Sequence, residues 1–193
     1  MTDIVIVGVD TGLKTLGLAE IGLRPDPHVI RVTSHHFKSS GHTTKKSDEL
    51  IEAATAAAQL IRDWWPQDKR VVAIGAEGIS IGPEMASRAV LQIGMGWGIL
   101  LGFAAGHRTA IPVFQRAPVT LKVWATGRKS ASKEQVQEAL VERYKVDLSH
   151  LKTAELRSHA GDAIAAGLCV AETEPFIQML LRATENEKAA TPD

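Results

Sequence analysis

I-V-I-V-G-V-D-T-G-L-K-T-L-G-L-A-E-I-G, residues 4–22, decides the fold. Residues 4–10 are rich in β-branched side chains and carry no charge before Asp10. That is the pattern of a buried strand that delivers an acid at its end. T-G-L-K (11–14) reads as a turn, and L-G-L-A-E-I-G (16–22) as a second strand. Asp26 and Pro27 mark another turn, and H-V-I-R-V-T-S-H-H-F (28–37) follows as a third strand. Three strands joined by short turns imply an antiparallel meander.

The pattern then changes. Residues 39–47 are polar and read as a loop. Over 48–65 the apolar residues Leu50, Ile51, Ala54, Ala57, Ala58 and Ile61 fall on one helical face, and Pro66 ends the helix. R-V-V-A-I-G-A-E (70–77) is a fourth buried strand, again closing on an acid, Glu77. A long helix is expected from Glu84 to Gly106, a short strand over 111–115, and a helix from Pro118 to Thr126 stopped by Gly127. Ser132-Lys133-Glu134-Gln135 is a capping box for a helix running to Tyr144. A last helix should span Ser158 to Thr184, with Pro175 kinking or interrupting it. Strands and helices in this order place the chain in the α/β class. The expected organisation is one domain over 1–184 and a disordered tail over 185–193.

Composition narrows the function without naming it. With 193 residues, 45% apolar and 23% charged, the chain suits one soluble domain. One cysteine, Cys169, allows no internal disulfide and sits in an apolar run as a buried thiol. The N-terminus lacks the basic segment and cleavage pattern of a signal peptide, so a cytoplasmic location is expected. The weakly polar stretch 89–106 reads as a buried helix rather than a membrane span. Net charge is zero, yet residues 107–145 hold eight Lys/Arg against three acids, and the segment from Glu172 holds five acids against two bases. A neutral total therefore conceals a basic segment suited to nucleic acid, or a solvated helical surface.

Three groups of residues carry candidate chemistry. Asp10 and Glu77 each close a buried strand. If those strands are neighbours, the carboxylates converge and repel unless a cation lies between them, and paired carboxylates are the usual anchor of Mg²⁺. His159 and Asp162, three apart in H-A-G-D-A-I-A-A-G, share a helical face on an otherwise apolar helix. They read either as ligands aimed at a sheet edge or as a first-turn cap and dipole partner. Gly94, Gly98, Gly102 and Gly106 recur every fourth residue, and each costs its helix about 1 kcal/mol relative to alanine. Close packing must offset that cost, either inside the fold or between subunits.

Four segments, in order, resemble the RuvC family of Holliday junction resolvases. I-V-G-V-D-T-G-L-K-T-L-G-L-A is similar to its first strand and turn, with Asp10 as the first catalytic acid. A-I-G-A-E-G-I-S is similar to its fourth strand, with Glu77 as the second acid. V-F-Q-R-A-P-V-T-L-K-V-W-A-T-G-R-K-S-A-S-K-E-Q-V-Q resembles the segment carrying two functional lysines, here Lys122 and Lys133. H-A-G-D-A-I-A-A-G resembles the closing helix, with Asp162 as the last acid and His159 in the histidine form of the position three before it. The resemblance spans roughly 4–171 and departs in two places. The turn after Asp10 reads D-T-G where the family has D-P-G. Ser80 stands where the family carries an aromatic wedge, leaving Ile79 or Ile81 as apolar substitutes.

The resemblance implies a ribonuclease H-like fold with a central five-stranded mixed sheet flanked by helices. It implies an endonuclease that resolves four-way and related branched DNA by paired cleavage, using two Mg²⁺ (or Mn²⁺) ions per site. Asp10 would bridge the ions, Glu77 and Asp162 would each hold one, and His159 would ligate a metal or orient water. Lys133 joins the catalytic set, and Lys122, Lys133, Arg128, Lys129 and Arg116 are the expected DNA contacts. Gly94, Gly98 and Gly102 fall where the family forms its homodimer. No membrane is implied, and any branch-migration partner is left open. The alternatives are a YqgF-like or other nuclease of this fold, and a junction-binding protein without catalysis.

Overall fold

The computed structural model describes residues 3–37, 46–79 and 87–189. The wedge positions Ser80 and Ile81 and most of the 39–47 loop lie outside the described residues. Five strands form one sheet in the order β3-β2-β1-β4-β5. They are β1 (Ile4–Asp10), β2 (Thr15–Gly22), β3 (His28–His36), β4 (Arg70–Glu77) and β5 (Val113–Arg116). The β1–β2 and β2–β3 pairs are antiparallel, as the meander required, and β4 and β5 join β1 in parallel. The sheet is mixed and five-stranded, as expected.

Alternation along the central strands divides the core into two layers. Val7, Val9, Leu16, Leu18 and Ile74 pack with Ala57, Ile61 and Trp65 of the α1 region and with Trp97 and Leu100 of α2. Here α1 is Lys46–Trp64 and α2 is Ser87–Gly106. On the other face, Ile6, Ala19, Ile21 and Ala73 pack with residues of α3 (Pro118–Thr126), α4 (Lys133–Tyr144), α5 (Ala154–Thr173) and α6 (Pro175–Ala189). Asp10 has the parity of Ile6 and Gly8, and Glu77 that of Ala73 and Gly75. Both acids therefore face α5.

Helix α5 is the centre of the molecule. From Ala160 to Ala171 every residue but Asp162 is buried, and small side chains let the helix lie close to the sheet. Backbone meets backbone at three glycines. A Cβ at Gly8 would stand 2.1 Å from the Ala163 carbonyl oxygen, one at Gly17 2.2 Å from that of His159, and one at Gly75 2.5 Å from that of Ala166. Only glycine permits this approach.

Several helix boundaries differ from expectation. α5 starts at Ala154, because the Thr153 side chain accepts a hydrogen bond from the Leu156 N–H and caps it there. It ends at Thr173, and α6 departs at 62° with Pro175 as its first residue, so the expected single closing helix is two. α6 continues to Ala189, beyond residue 185, where the tail was placed. The capping box at Ser132 and Gln135 is present, and Gly127 ends α3 with φ 72°.

α2 is less enclosed than expected. It is long and apolar enough to cross a membrane by composition, yet it builds Trp97, Leu100 and Ala104 into the core. Its glycine stripe points away from the fold. Added Cβ atoms at Gly94, Gly98, Gly102 and Gly106 meet nothing within 4 Å among the described residues, so packing between those residues does not account for them. The glycine of α2 that does pack inward is Gly96, against the Thr11 carbonyl oxygen.

Candidate active site

Parallel pairing aligns the C-terminal ends of β1 and β4, with Val9 opposite Ala76. Asp10 and Glu77, each the next residue, thus end side by side. α5 crosses above them, and its one-turn spacing lowers His159 and Asp162 onto the same edge. Ligand oxygens of Asp10, Glu77 and Asp162 lie within 4.8 Å of one another. The side chains of Asp10 and Asp162 keep only 13% and 15% of their exposure.

Two cationic or polar groups close the cluster. The His159 Nδ1 lies 2.5 Å from the Asp10 Oδ2, and the Lys133 Nζ donates to the Asp162 Oδ2 at 2.6 Å. Lys133 is the first residue of α4, where the capping box fixes the backbone that aims it. His159 thus stands at the site as a hydrogen-bond partner of Asp10, beside the three-carboxylate cluster.

The electrostatics show how crowded this charge is. Burial, then the charges of Asp162 and Asp10, push the Glu77 carboxyl up to about 7. Burial and the Asp10 charge also raise Asp162. Burial pulls the His159 imidazole down, but the Asp10 hydrogen bond and charge outweigh it and hold the ring above its ordinary value. Lys133 behaves likewise: burial lowers it, and the charge and hydrogen bond of Asp162 more than reverse that. With all three carboxyls ionised, one lysine and one protonated histidine leave one negative charge unmatched, and the raised Glu77 carboxyl is the cost of that excess. A bound divalent cation relieves that imbalance, and a set of hard oxygen donors suits Mg²⁺ or Mn²⁺.

The expected DNA contacts separate into three groups. Arg128 and Lys129 stand exposed in the turn between α3 and α4, a few residues before Lys133 in the chain. Lys122 is half-buried on α3 and makes no hydrogen bond to the acids among the described residues. Arg116 is only 20% exposed and bonds to the Glu174 carboxylate at 2.7 Å, which ties β5 to the C-cap of α5. Arg143 is similarly held by Glu172. The local surplus of cations in 107–145 is thus partly neutralised by acids from the C-terminal helices.

Reading the sequence missed the seats beneath the acids. Gly8 and Gly75 each stand two residues before a strand-end acid, on the same strand face as that acid. The G-x-D and G-x-E spacing was the available signal. It also missed Glu20, 1% exposed on β2 and clamped by Arg31 and Lys69 at 2.5 and 2.6 Å. A lone acid inside an apolar strand gives no hint of its partners.

Comparison with known proteins gives the site a context. A family model described as crossover junction endodeoxyribonuclease RuvC matches residues 6–170. The crossover junction endodeoxyribonuclease RuvC of Protochlamydia amoebophila is 27% identical over 175 residues, 88% of this chain and 91% of the relative. That of Ralstonia nicotianae is 25% identical over 169 residues, covering 83% and 87%. Among solved structures, Thermus thermophilus RuvC in complex with a Holliday junction substrate superposes with a TM-score of 0.61 at 19% identity, covering 86% of this chain and 92% of that one. The match is to RuvC rather than to the YqgF-like alternative, and it spans all four segments that carry the acids and lysines. The chain belongs to the RuvC family of crossover junction endodeoxyribonucleases.

Proposed function

We propose that this protein is a structure-selective endonuclease that resolves four-way DNA junctions by metal-dependent phosphodiester hydrolysis. The convergence of Asp10, Glu77 and Asp162 at one sheet edge, with Lys133 on Asp162, carries this reading. Asp10, Glu77 and Asp162 would together hold the divalent ions, their oxygens lying within 4.8 Å of one another. When bound, Mg²⁺ or Mn²⁺ supplies Lewis-acid chemistry: it neutralises the phosphate and activates water.

The chain's own groups do the rest. Asp10 accepts from His159, which fixes the carboxylate's orientation and leaves the imidazole able to move a proton at Nδ1 or to turn towards a ligand role. Lys133, which donates to Asp162 and is half exposed, would stand where it can meet the developing negative charge. Arg128 and Lys129 contact the DNA backbone without reading sequence, and Lys122 extends that track. Two copies joined through the outer face of α2, at Gly94, Gly98 and Gly102, place two sites for symmetric cuts. The protein acts as a soluble, DNA-associated cytoplasmic enzyme.

Incubation of a synthetic four-way junction and a linear duplex, each with Mg²⁺ or chelator, tests this directly. Paired nicks in the junction alone, dependent on metal, are expected. Asp10→Asn should abolish cleavage and keep junction binding. Equal cutting of linear duplex, or full activity of the Asp10→Asn protein, overturns the assignment.

A further inference from the structure

Beside the acids, at the same end of the sheet, lies a second polar cluster that the reaction described above does not use. Its hub is Thr15, the first residue of β2, only 2% exposed. The Thr15 hydroxyl donates to the Glu155 Oε1 at 3.3 Å and lies 3.0 Å from the His36 Nδ1. His36 is its register partner at the end of β3. The hydroxyl has one proton, and the carboxylate takes it, so the His36 Nδ1 must carry the ring proton and donate to Thr15. The result is a directed chain, His36 to Thr15 to Glu155, joining β3, β2 and α5.

Glu155 lies in the first turn of α5, four residues before His159, and so shares its helical face. Gly17, two residues along β2 and on the same strand face as Thr15, carries the backbone carbonyl of His159 directly against it. The glycine seat limits how closely α5 approaches the sheet. The side-chain tie one turn earlier adds a constraint at the exposed start of α5, before the buried run that begins at Ala160.

We propose that Thr15 is a positioning residue of the nuclease site, holding Glu155 so that the N-terminal end of α5 presents His159, one turn on, to Asp10. His36 serves by keeping the hydroxyl proton directed at Glu155. This rests on the assignment of Asp10 and His159 to the site, and its readouts are chosen to be independent of cleavage as well as dependent on it.

Thr15→Val keeps the β-branched shape and removes the tie. Glu155 and His36 both reach solvent (59% and 38% exposed), so this substitution leaves no buried charge unpaired. Thr15→Ser restores the hydroxyl. Calorimetric Mn²⁺ binding, the low-field Nδ1–H resonance of His159 and single-turnover junction cleavage should be measured on the intact chain. Thr15→Val should lower metal affinity or the cleavage rate by about tenfold, and weaken the His159 resonance. Junction binding in chelator should be unchanged, and Thr15→Ser should recover every readout. Wild-type metal affinity, cleavage and His159 resonance in Thr15→Val overturn the proposal. So does a loss of stability and binding that Thr15→Ser fails to restore. If the wild-type protein cleaves no junction, the nuclease assignment fails, while the His159 resonance still decides whether the tie exists.

Discussion

Folding drives Glu77 into the company of two other carboxylates, and the cost is visible in a pKa raised from 4.5 to about 7. A carboxyl that binds its proton more tightly folded than unfolded loses stability for the fold as pH rises between those values. Asp162 and His159 are raised too and act in the same direction, His159 through its own titration at higher pH. The metal-free protein should therefore melt at lower temperature at about pH 8 than at about pH 5.5. Mg²⁺ or Mn²⁺ competes for the same oxygens, so its stabilisation should be larger at about pH 8 than at about pH 6. Thermal melts with and without metal across that range check both, and a metal response that is flat with pH overturns the reading. Glu77→Gln should remove part of the slope, raise the metal-free melting temperature at the alkaline end and abolish cleavage. Lys133 gives the complementary case. Its side chain is 54% exposed, so Lys133→Ala should cost the fold no more than about 1 kcal/mol while slowing cleavage on the order of 100-fold. Parallel loss of melting temperature and activity would make Lys133 structural.

Glycine placement decides how the elements meet. The repeat at 94, 98, 102 and 106 dominates the eye in the sequence because its period matches a helix, yet a Cβ added at any of them would meet nothing within 4 Å among the described residues. The glycines that the fold requires are scattered singly through strands, at 8, 17 and 75, and no periodicity announces them. The strand-end acids were legible because an apolar β-branched run that closes on a carboxylate is itself a pattern. Their adjacency also followed from the fold class once β1 and β4 were neighbours. The division between α5 and α6 and the early start at Thr153 were harder to read. Capping at Thr153 competes with an equally helical pattern downstream, and proline serves as a kink or as a first residue depending on tertiary packing. Gly8→Ala or Gly17→Ala should destabilise by about 1–3 kcal/mol, because α5 must rise from the sheet to admit the methyl. Either should also slow cleavage beyond what the stability loss explains, since His159 and Asp162 travel with α5. Denaturant midpoints alongside cleavage under fully folded conditions separate the two effects. Wild-type rates in the folded mutants would show that α5 absorbs the methyl without moving its ligands.

For the molecule as a whole, the neutral net charge resolves into cations consumed by the fold and cations left at the surface. Arg31 and Lys69 neutralise the buried Glu20, Arg116 holds Glu174 and Arg143 holds Glu172. Arg128 and Lys129 remain exposed between α3 and α4. A sequence count cannot make that division, because the partners lie up to 58 residues apart. What the subunit leaves unsatisfied is the outer face of α2, where the glycine stripe runs beside Leu91 and Leu101, 53% and 48% exposed. A backbone laid bare along one face and flanked by apolar side chains fits the close approach of an identical helix, which is the assembly a symmetric junction requires. Gly98 separates the two consequences of that arrangement. In an isolated subunit Gly98→Ala should stabilise α2 by up to about 1 kcal/mol, since the methyl meets nothing and the backbone loses freedom it no longer spends. Gly98→Leu should leave the monomer folded but force two helices apart. Sedimentation should then show a monomer where a dimer is expected of the wild-type chain, and four-way junctions should be nicked on one strand without the paired second cut. A Gly98→Leu chain that remains dimeric and still makes paired cuts would move the subunit interface elsewhere and leave the glycine stripe without a purpose in assembly.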